Sequence, residues 1–313
     1  MPRETPALSR GSRRAASDCG RRTPARAGRT HMGTSFPRRF CRRRLVPRGP
    51  DEQMKILILG GGGMLGHELW RQLHSRHETW VTLRRPVAEY APYLLFQDGR
   101  SVALADAGDF VATRNLIRKL RPAAVLNCVG IIKQLKEANN PIPSLSINSL
   151  LPHHLAAACG EVAARLVHFS TDCVFSGARG AYREADIPDP VDLYGRSKLL
   201  GELDAEPALT LRTSIIGFEL GTSLSLLEWF LSQRGRAAKG YRRAIYSGFT
   251  TVEMARIVAL LLERHPKLTG LWQVASAPID KYSLLQLVRD AFKLEVELTP
   301  DDAFVCDRTL DAS

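Results

Sequence analysis

The segment Lys55–Gly66, with the sequence KILILGGGGMLG, decides the fold. The largely apolar run Lys55–Leu59 is typical of a strand that is buried on both faces of a parallel sheet. Glycines follow it directly, and apolar residues then recur at helical spacing, so the segment predicts a strand, a tight turn and a helix. Such a turn lets backbone amides approach a pyrophosphate at the positive end of the helix. We therefore predict an α/β fold with a dinucleotide site.

Two registers of the glycine motif are open. One is G-x-G-x-x-G from Gly61, and the other is G-x-x-G-x-x-G from Gly60. A loop that is merely flexible is the alternative to both. In the second register, the residues expected to contact the cofactor are Gly60, Gly63, Met64, Leu65 and Gly66.

The predicted second strand, Thr79–Leu83, ends in Arg84 and Arg85, about 20 residues beyond the glycines. Enzymes that use NAD usually place an acidic residue there, whereas arginine suits the 2′-phosphate of NADP. The pair therefore favours NADP(H) over NAD(H). A solvated arginine pair is the alternative interpretation.

The segment Ser170–Glu202, STDCVFSGARGAYREADIPDPVDLYGRSKLLGE, holds the candidate catalytic residues. Tyr194 and Lys198 are four residues apart, so on a helix they share one face. We expect the ammonium of Lys198 to lower the pKa of the phenol, which becomes a proton donor to a carbonyl under reduction. A predicted buried strand, Arg165–Ser170, places the hydroxyl of Thr171 at its carboxyl end, where it can orient that carbonyl.

Three motifs in this segment carry a family resemblance: STD-x-VF-x-G from Ser170, Tyr182-x-Glu184, and YG-x-SK-x-x-GE from Tyr194. They resemble the extended short-chain dehydrogenase/reductases, and among these the dTDP-4-dehydrorhamnose reductase group. The likeness runs from about Met54 to about Ser276. It implies a Rossmann-type doubly wound parallel sheet and NADPH-dependent reduction of a keto group on a nucleotide-activated deoxysugar, as in dTDP-rhamnose and polysaccharide biosynthesis.

The resemblance also assigns roles to single residues. It implies that Asp106 lies near the adenine, and that the segment NCVG, with Cys128, Val129 and Gly130, passes along the ribose and nicotinamide. Residues expected near the substrate are Lys133, Asp172, Arg212 and Thr213. The stretch Ile131–Pro143 departs from the usual pattern of the group, so the resemblance does not identify the sugar.

Two other functions stay open. One is a nucleotide-sugar epimerase or dehydratase of the same superfamily, which would hold NAD tightly and return the hydride to the sugar. The other is a non-catalytic role, because the regulatory subunit of methionine adenosyltransferase resembles the same reductases.

The pattern of elements changes after Gly217. Residues 54–217 are expected to form the NAD(P)-binding domain with the catalytic Tyr and Lys, and residues 218–313 a smaller C-terminal α/β substrate lobe. Within the latter, the basic stretch Gln233–Arg243 could hold a diphosphate or form a solvated loop. Relatives usually continue beyond the position of Ser313, so a truncated C-terminus is one interpretation.

Composition separates an N-terminal extension from the rest. Residues 1–53 contain fourteen of the arginines and four acidic residues, and so carry most of the net charge of +12. We predict a disordered Arg-rich extension that precedes a native start at Met54, and no specific nucleic-acid partner.

The six cysteines show no zinc-type spacing, and no apolar run approaches the roughly 18 residues of a membrane span. No metal site and no membrane partner are therefore expected, and the cysteine usage fits a cytoplasmic protein. A homodimer is left open.

Overall fold

The computed structural model describes residues 53–313, so the predictions for the Arg-rich extension lie outside the described residues. Its strands, in chain order, are β1 Lys55–Leu59, β2 Glu78–Leu83, β3 Ser101–Ala103, β4 Ala124–Asn127, β5 Arg165–Thr171, β6 Ala208–Thr213, β7 Ile215–Ile216, β8 Ala237–Tyr241, β9 Ala244–Tyr246, β10 Phe249–Thr250, β11 Gly270–Val274, β12 Ile279–Asp280, β13 Glu297–Asp301 and β14 Cys306–Asp307.

The helices alternate with the first strands, as the predicted α/β pattern requires. They are α1 Gly66–Leu73, α2 Phe110–Leu120, α3 Pro141–Ser144, α4 Leu151–Val162, α5 Leu193–Leu200, α6 Leu226–Leu231, α7 Thr251–Arg264 and α8 Lys281–Phe292. Short 3₁₀ segments cover Val87–Tyr93, Lys136–Asn139 and Asp172–Val174. None of the helices in the described range is long and apolar enough to cross a bilayer.

Seven parallel strands form the main sheet in the order β11-β6-β5-β4-β1-β2-β3. The chain starts at β1, winds outward to β3, returns to β4 beside β1 and then winds outward in the other direction. This is the doubly wound, Rossmann-type arrangement, and the predicted fold class is confirmed.

Both faces of the sheet are covered because its central strands are apolar on both sides. Ile56 and Ile58 of β1 face a core with α1 and α7, whereas Leu57 and Leu59 face a core with α2 and α4. All four side chains are fully buried. Burial on both faces of the sheet therefore explains the near-continuous apolar run in the sequence, as we predicted.

The helix around Asn148 is irregular. A π-helical segment, Leu145–Leu150, separates α3 from α4, and α4 begins just before Pro152. A widened turn therefore precedes the proline. It turns the side chain of Asn148 into the interior, where it is 1% exposed.

The predicted boundary at residue 217 is wrong in one respect. We assigned all of 218–313 to a separate lobe, but β11 pairs in parallel with β6 and extends the main sheet. The side chains of Met254 and Val258 in α7 are buried against α1 in the core of that sheet. Position in the chain misled the prediction, because the chain leaves the main sheet after β6 and returns to it at β11.

The remaining C-terminal residues build the smaller lobe. Strand β8 pairs in parallel with β13, and a second small sheet has the order β12-β9-β14. Phe230 of α6 and Leu285 of α8 are buried in the core of the lobe. The predicted basic loop is partly strand β8, and its cations Lys239 and Arg242 form ion pairs with Asp301 and Asp302.

A substitution in α7 tests whether this helix belongs to the main core. Met254→Ala removes a fully buried side chain, and we expect it to lower the free energy of unfolding by about 2–5 kcal/mol. Val252→Ala changes a residue of the same helix that is 47% exposed. It should change the free energy of unfolding by less than about 0.5 kcal/mol. Urea denaturation followed by circular dichroism measures both. Equal effects would place α7 outside the core.

Candidate active site

The glycine turn brings the start of α1 against the end of β1. Gly60 has a φ of +80°, a conformation that favours glycine. A Cβ atom on Gly66 would lie 2.2 Å from the carbonyl oxygen of Gly60, so a side chain at Gly66 would force the turn open. These contacts join members of the G-x-x-G-x-x-G register, which is the one that the geometry favours.

The same turn leaves backbone donors free. Within the described residues, the amides of Gly61 and Gly63 bond to Thr82 O and Gly60 O, whereas those of Met64 and Leu65 find no acceptor. Amides that lead into a helix N-terminus suit an anion. Met64 and Leu65 can therefore receive the pyrophosphate of a dinucleotide, as the sequence predicted for these positions.

A second segment lies over the turn from the neighbouring strand. Cys128 and Val129 lie so close that a Cβ atom on Gly60 would be 3.1–3.2 Å from their atoms. The amide of Ile131 donates to Asn148 Oδ1 and its carbonyl accepts from Asn148 Nδ2, both at 2.9 Å. Asn148 thus fixes the segment 128–131 that the resemblance places along the cofactor.

The two arginines after β2 have different surroundings. Arg85 donates to Leu220 O at 3.2 Å and to Glu89 Oε2 at 3.3 Å, and its guanidinium lies 5.2 Å from the ring centre of Tyr90. Arg84 is exposed and forms no side-chain hydrogen bond or ion pair within residues 53–313. Arg84 is therefore the member of the pair that is available to a ligand.

Asp106 lies beyond the carboxyl end of the edge strand β3. Its Oδ1 accepts from Gly108 N at 2.7 Å, so the carboxylate closes a turn while the residue stays exposed. The neighbouring residue Asp109 caps α2, because its side chain accepts from Ala112 N at 2.9 Å. The expected contact of Asp106 with an adenine stays a prediction.

Helix α5, which carries the candidate catalytic residues Tyr194 and Lys198, lies close to the end of β5. A Cβ atom on Gly195 would be 2.2 Å from the carbonyl oxygen of Cys173, so glycine beside Tyr194 permits this approach. Asp192 caps the helix by accepting from Gly195 N at 2.7 Å. Tyr194 and Lys198 lie one turn apart on α5, and Thr171 ends β5, as predicted.

Burial dominates the ionisation of the catalytic pair. It raises the pKa of Tyr194 well above the ordinary value; the Cys173 thiol adds to this and the hydrogen bond with Thr171 opposes it. Burial also lowers the pKa of Lys198 to about 8, against the attraction of Glu202. The Nζ atom of Lys198 donates to Phe169 O at 2.5 Å.

The expected net lowering of the Tyr194 pKa by Lys198 is therefore wrong, because desolvation outweighs it. We predicted that the ammonium would lower the pKa of Tyr194, but desolvation raises it. Spacing on a helix places the two residues on one face, and it gives no information on how deeply the site buries them. The phenol consequently keeps its proton across the ordinary pH range.

Two residues expected near the substrate have structural partners. Arg212 donates to both carboxylate oxygens of Glu202, at 2.8 and 2.7 Å, in a pair that is nearly inaccessible to solvent. Thr213 donates to Val274 O at 2.9 Å and is 4% exposed. Both positions hold β6 to its neighbours, and their expected contacts with a substrate stay predictions.

Asp172 and Lys133 do lie beside the catalytic residues. The Thr171 hydroxyl donates to Asp172 Oδ1 at 3.1 Å, and Lys133 Nζ donates to the thiol of Cys173 at 3.8 Å. Asp172 is half-buried and Lys133 is exposed. Their predicted contact with a substrate is compatible with this placement.

Asn148 and Ser197 had no predicted role. Asn148 Nδ2 donates to Ser197 Oγ at 3.1 Å, and Ser197 Oγ donates to the carbonyl of Tyr194 at 2.9 Å. These bonds connect the cofactor segment to the catalytic helix. The signal available in the sequence was a polar residue among apolar neighbours in a helix. Such a side chain needs a hydrogen-bond partner when it is buried.

The buried ammonium of Lys198 should make stability depend on pH. Its pKa of about 8 lies below the ordinary value near 10.4, so the cost of burying the charge is complete below about pH 8. It fades as the pH rises toward about 10.4. Lys198→Met removes that cost, so the variant should be up to about 3 kcal/mol more stable than wild type at pH 7.

The difference between variant and wild type should shrink between pH 8 and pH 10. Denaturant titrations at several pH values measure it, and the comparison cancels the other groups that titrate in that range. A difference that stays constant with pH would show that Lys198 ionises normally.

Comparison with known proteins identifies one family. Residues 54–222, more than half of the chain, match the family described as RmlD substrate binding domain. A dTDP-4-dehydrorhamnose reductase from Streptomyces griseus is 32% identical over 154 residues, which are 49% of this chain and 45% of the relative. The β subunit of methionine adenosyltransferase 2 from Bos taurus is 28% identical over 47% of this chain and 41% of its own.

A solved structure extends the likeness beyond these segments. A hypothetical dTDP-4-dehydrorhamnose reductase from Sulfolobus tokodaii superposes with a TM-score of 0.70 at 28% identity, over 83% of this chain and 92% of its own. The matches to the two curated relatives span less than half of each relative's length. The chain belongs to the RmlD substrate binding domain family, and its resemblance to the dTDP-4-dehydrorhamnose reductase group is confirmed.

Proposed function

We propose that the protein reduces the keto group of a nucleotide-activated deoxysugar with NADPH. One observation carries the proposal: Thr171 and Tyr194 meet at the carboxyl end of β5, and Lys198 lies one helical turn beyond Tyr194. Ligands of open α/β sheets bind at the carboxyl ends of the strands. The glycine turn and segment 128–131 lie at the same edge of the sheet.

The side chains suit proton donation to a carbonyl oxygen. Tyr194 keeps its proton because burial raises its pKa, so it can donate that proton as negative charge develops on the oxygen. Thr171 lies beside the phenol. Its one hydroxyl proton, which is donated to Asp172 Oδ1, can be donated to the same carbonyl oxygen once the hydroxyl rotates toward a substrate. A bound reduced nicotinamide supplies the hydride.

The charge of Lys198 affects the phenol of Tyr194. Its ammonium is held by Phe169 O, and it is protonated below about pH 8. A positive charge one turn from Tyr194 stabilises the phenolate that remains after proton transfer. Loss of that charge in alkali should therefore reduce turnover before the tyrosine itself loses its proton.

The proposed preference for NADPH rests on Arg84. Its exposed guanidinium follows β2, where the 2′ substituent of the adenosine ribose is expected. Arginine presents a planar set of donors that matches a phosphate. Arg85 would support this site indirectly, because its own donors bond to Leu220 and Glu89.

A non-catalytic binding role is the second candidate. Its support is the similarity to the methionine adenosyltransferase β subunit. The presence of Thr171, Tyr194 and Lys198 together favours the reductase.

Removal of the proposed proton donor gives the main test. Tyr194→Phe keeps the ring and removes the hydroxyl, so folding and NADPH binding should survive while kcat falls by at least about 100-fold. NADPH oxidation with a panel of 4-keto-deoxysugar nucleotides measures turnover. Tyr241→Phe, the same change on an exposed residue of the lobe, should leave it unchanged. Near-normal turnover of Tyr194→Phe would refute the mechanism and favour the binding role.

The cofactor assignment predicts an unequal effect on the two dinucleotides. Arg84→Met should weaken NADPH binding by roughly 10-fold or more, since a hydrogen bond to a charged group is worth about 1.5–3 kcal/mol. NADH binding should change by less than about twofold, because NADH has no 2′-phosphate. Arg71→Met, on the exposed side of α1, is the matched control. Titrations of intrinsic fluorescence supply the Kd values, and equal weakening of both cofactors would contradict the assignment.

A further inference from the structure

The turn that follows β4 is held by a side chain of its own strand. The amide of Val129 donates to Asn127 Oδ1 at 3.2 Å, so Asn127 bonds the backbone two residues further on. This turn brings Val129 against the glycine turn, where a Cβ atom on Gly60 would lie 3.1 Å from its side chain. The amide of Asn148 fixes the far end of the segment 128–131. Two asparagine side chains therefore determine the path of this segment.

A histidine on the neighbouring strand holds Asn127 in turn. Asn127 of β4 pairs with His168 of β5 in the sheet, and Asn127 Nδ2 lies 3.1 Å from His168 Nδ1. Both side chains are 1% exposed. Solvent water therefore does not compete for this bond.

The amide of Val129 determines which of these atoms donate. A backbone N–H only donates, so the oxygen of Asn127 must face it and the nitrogen must face the histidine. That nitrogen also only donates, so His168 Nδ1 has to accept, and the ring is neutral with its proton on Nε2. Burial agrees with this, because it lowers the pKa of His168 well below the ordinary value, and the charges of Lys198 and His153 act in the same direction.

The other ring nitrogen of His168 is buried without a partner. Within residues 53–313, Nε2 forms no hydrogen bond. A buried donor without an acceptor lowers stability, and an apolar side chain at this position of β5 would avoid that loss. The bond of Nδ1 with Asn127 is the local gain that accounts for a histidine here.

We propose that His168 is a positioning residue for the cofactor: through Asn127 it holds the turn at Val129, and with it the surface of segment 128–131 on which the dinucleotide lies. This inference rests on the proposed function for the identity of that ligand. The imidazole acts through two hydrogen bonds, so its effect should fall on affinity. Because the resemblance places the segment along the ribose and nicotinamide, the effect should fall on that half of the dinucleotide.

Two replacements of similar shape separate the acceptor from the rest of the imidazole ring. His168→Leu removes the acceptor and should weaken NADPH and NADH binding alike, by about fivefold or more, the scale of one neutral hydrogen bond. His168→Asn keeps a side-chain oxygen near the position of Nδ1, and its affinities should stay within about twofold of wild type. Fluorescence titrations measure the Kd values.

A fragment of the cofactor distinguishes positioning from a general loss of structure. Adenosine 2′,5′-bisphosphate has the adenine and the 2′-phosphate of NADPH and lacks the nicotinamide. Its affinity should change by less than about twofold in His168→Leu, because its contacts are expected at the other end of the site, near Arg84. Equal weakening of NADPH and of the fragment would show that His168 has only a structural role.

Thr210→Val is the matched control. Thr210 of β6 lies opposite His168 in the sheet, and its buried hydroxyl donates to Leu203 O at 2.7 Å. The variant thus also loses a buried hydrogen bond, to a partner outside segment 128–131. If His168→Leu weakens NADPH binding no more than Thr210→Val does, the proposal is wrong. It is equally wrong if His168→Asn weakens binding as much as His168→Leu does.

A double variant covers the case in which His168→Leu alone does not fold. Replacing both partners of the buried bond, as Asn127→Leu with His168→Leu, leaves neither of them unpaired and limits the loss of stability. Because His168 acts through Asn127, the double variant should bind NADPH as weakly as Asn127→Leu alone. Weaker binding by the double variant would show that His168 acts by another route and would overturn the proposal.

Failure of the positioning role and failure of the proposed reduction give different results. A wild type that binds NADPH in a His168-dependent way and reduces no keto-sugar would keep the positioning role and reject the reduction. A wild type that reduces a keto-sugar, with unaltered NADPH affinity in His168→Leu, would do the opposite. A wild type that binds no dinucleotide would overturn both.

Discussion

The side chain of Asn148 connects two parts of the candidate active site. Its amide bonds to both backbone groups of Ile131 and to the hydroxyl of Ser197, so one buried residue touches the segment 128–131 and the helix α5. The π-helical turn at Leu145–Leu150 gives Asn148 this inward position. The side-chain amide of Asn148 is buried, and both its oxygen and its nitrogen have hydrogen-bond partners. A buried amide without partners would cost about 1–3 kcal/mol for each unsatisfied group.

Local patterns predicted the parts of the fold that depend on local sequence. The strand Lys55–Leu59 and the glycine turn were both predicted, because each depends on neighbours within a few residues. The return of β11 to the sheet was not visible, since pairing with β6 joins residues about 60 positions apart. The pairing of Arg212 with Glu202 escaped prediction for a related reason, because it depends on where α5 ends against β6.

The predicted electrostatics failed where burial outweighs proximity. A lysine one turn from a tyrosine suggests attraction, yet desolvation governs both groups and shifts the two pKa values in opposite directions. The Glu202 carboxylate lies one further turn along the chain and counters the loss of charge on Lys198. The ion pair with Arg212 thus does more than hold β6, because it keeps the Glu202 carboxylate near the ammonium of Lys198.

The route of the chain through the two lobes restricts how they can move. It enters the smaller lobe after β7, returns to the main sheet for α7 and β11, and enters the lobe again before β12. Several connections therefore cross between the lobes, and any opening motion must bend all of them together. Such multiple tethers favour rotation about a single axis over free swinging. A proteolytic cut in one of them would leave the lobe attached, so the smaller lobe cannot be removed by shortening the chain from one end.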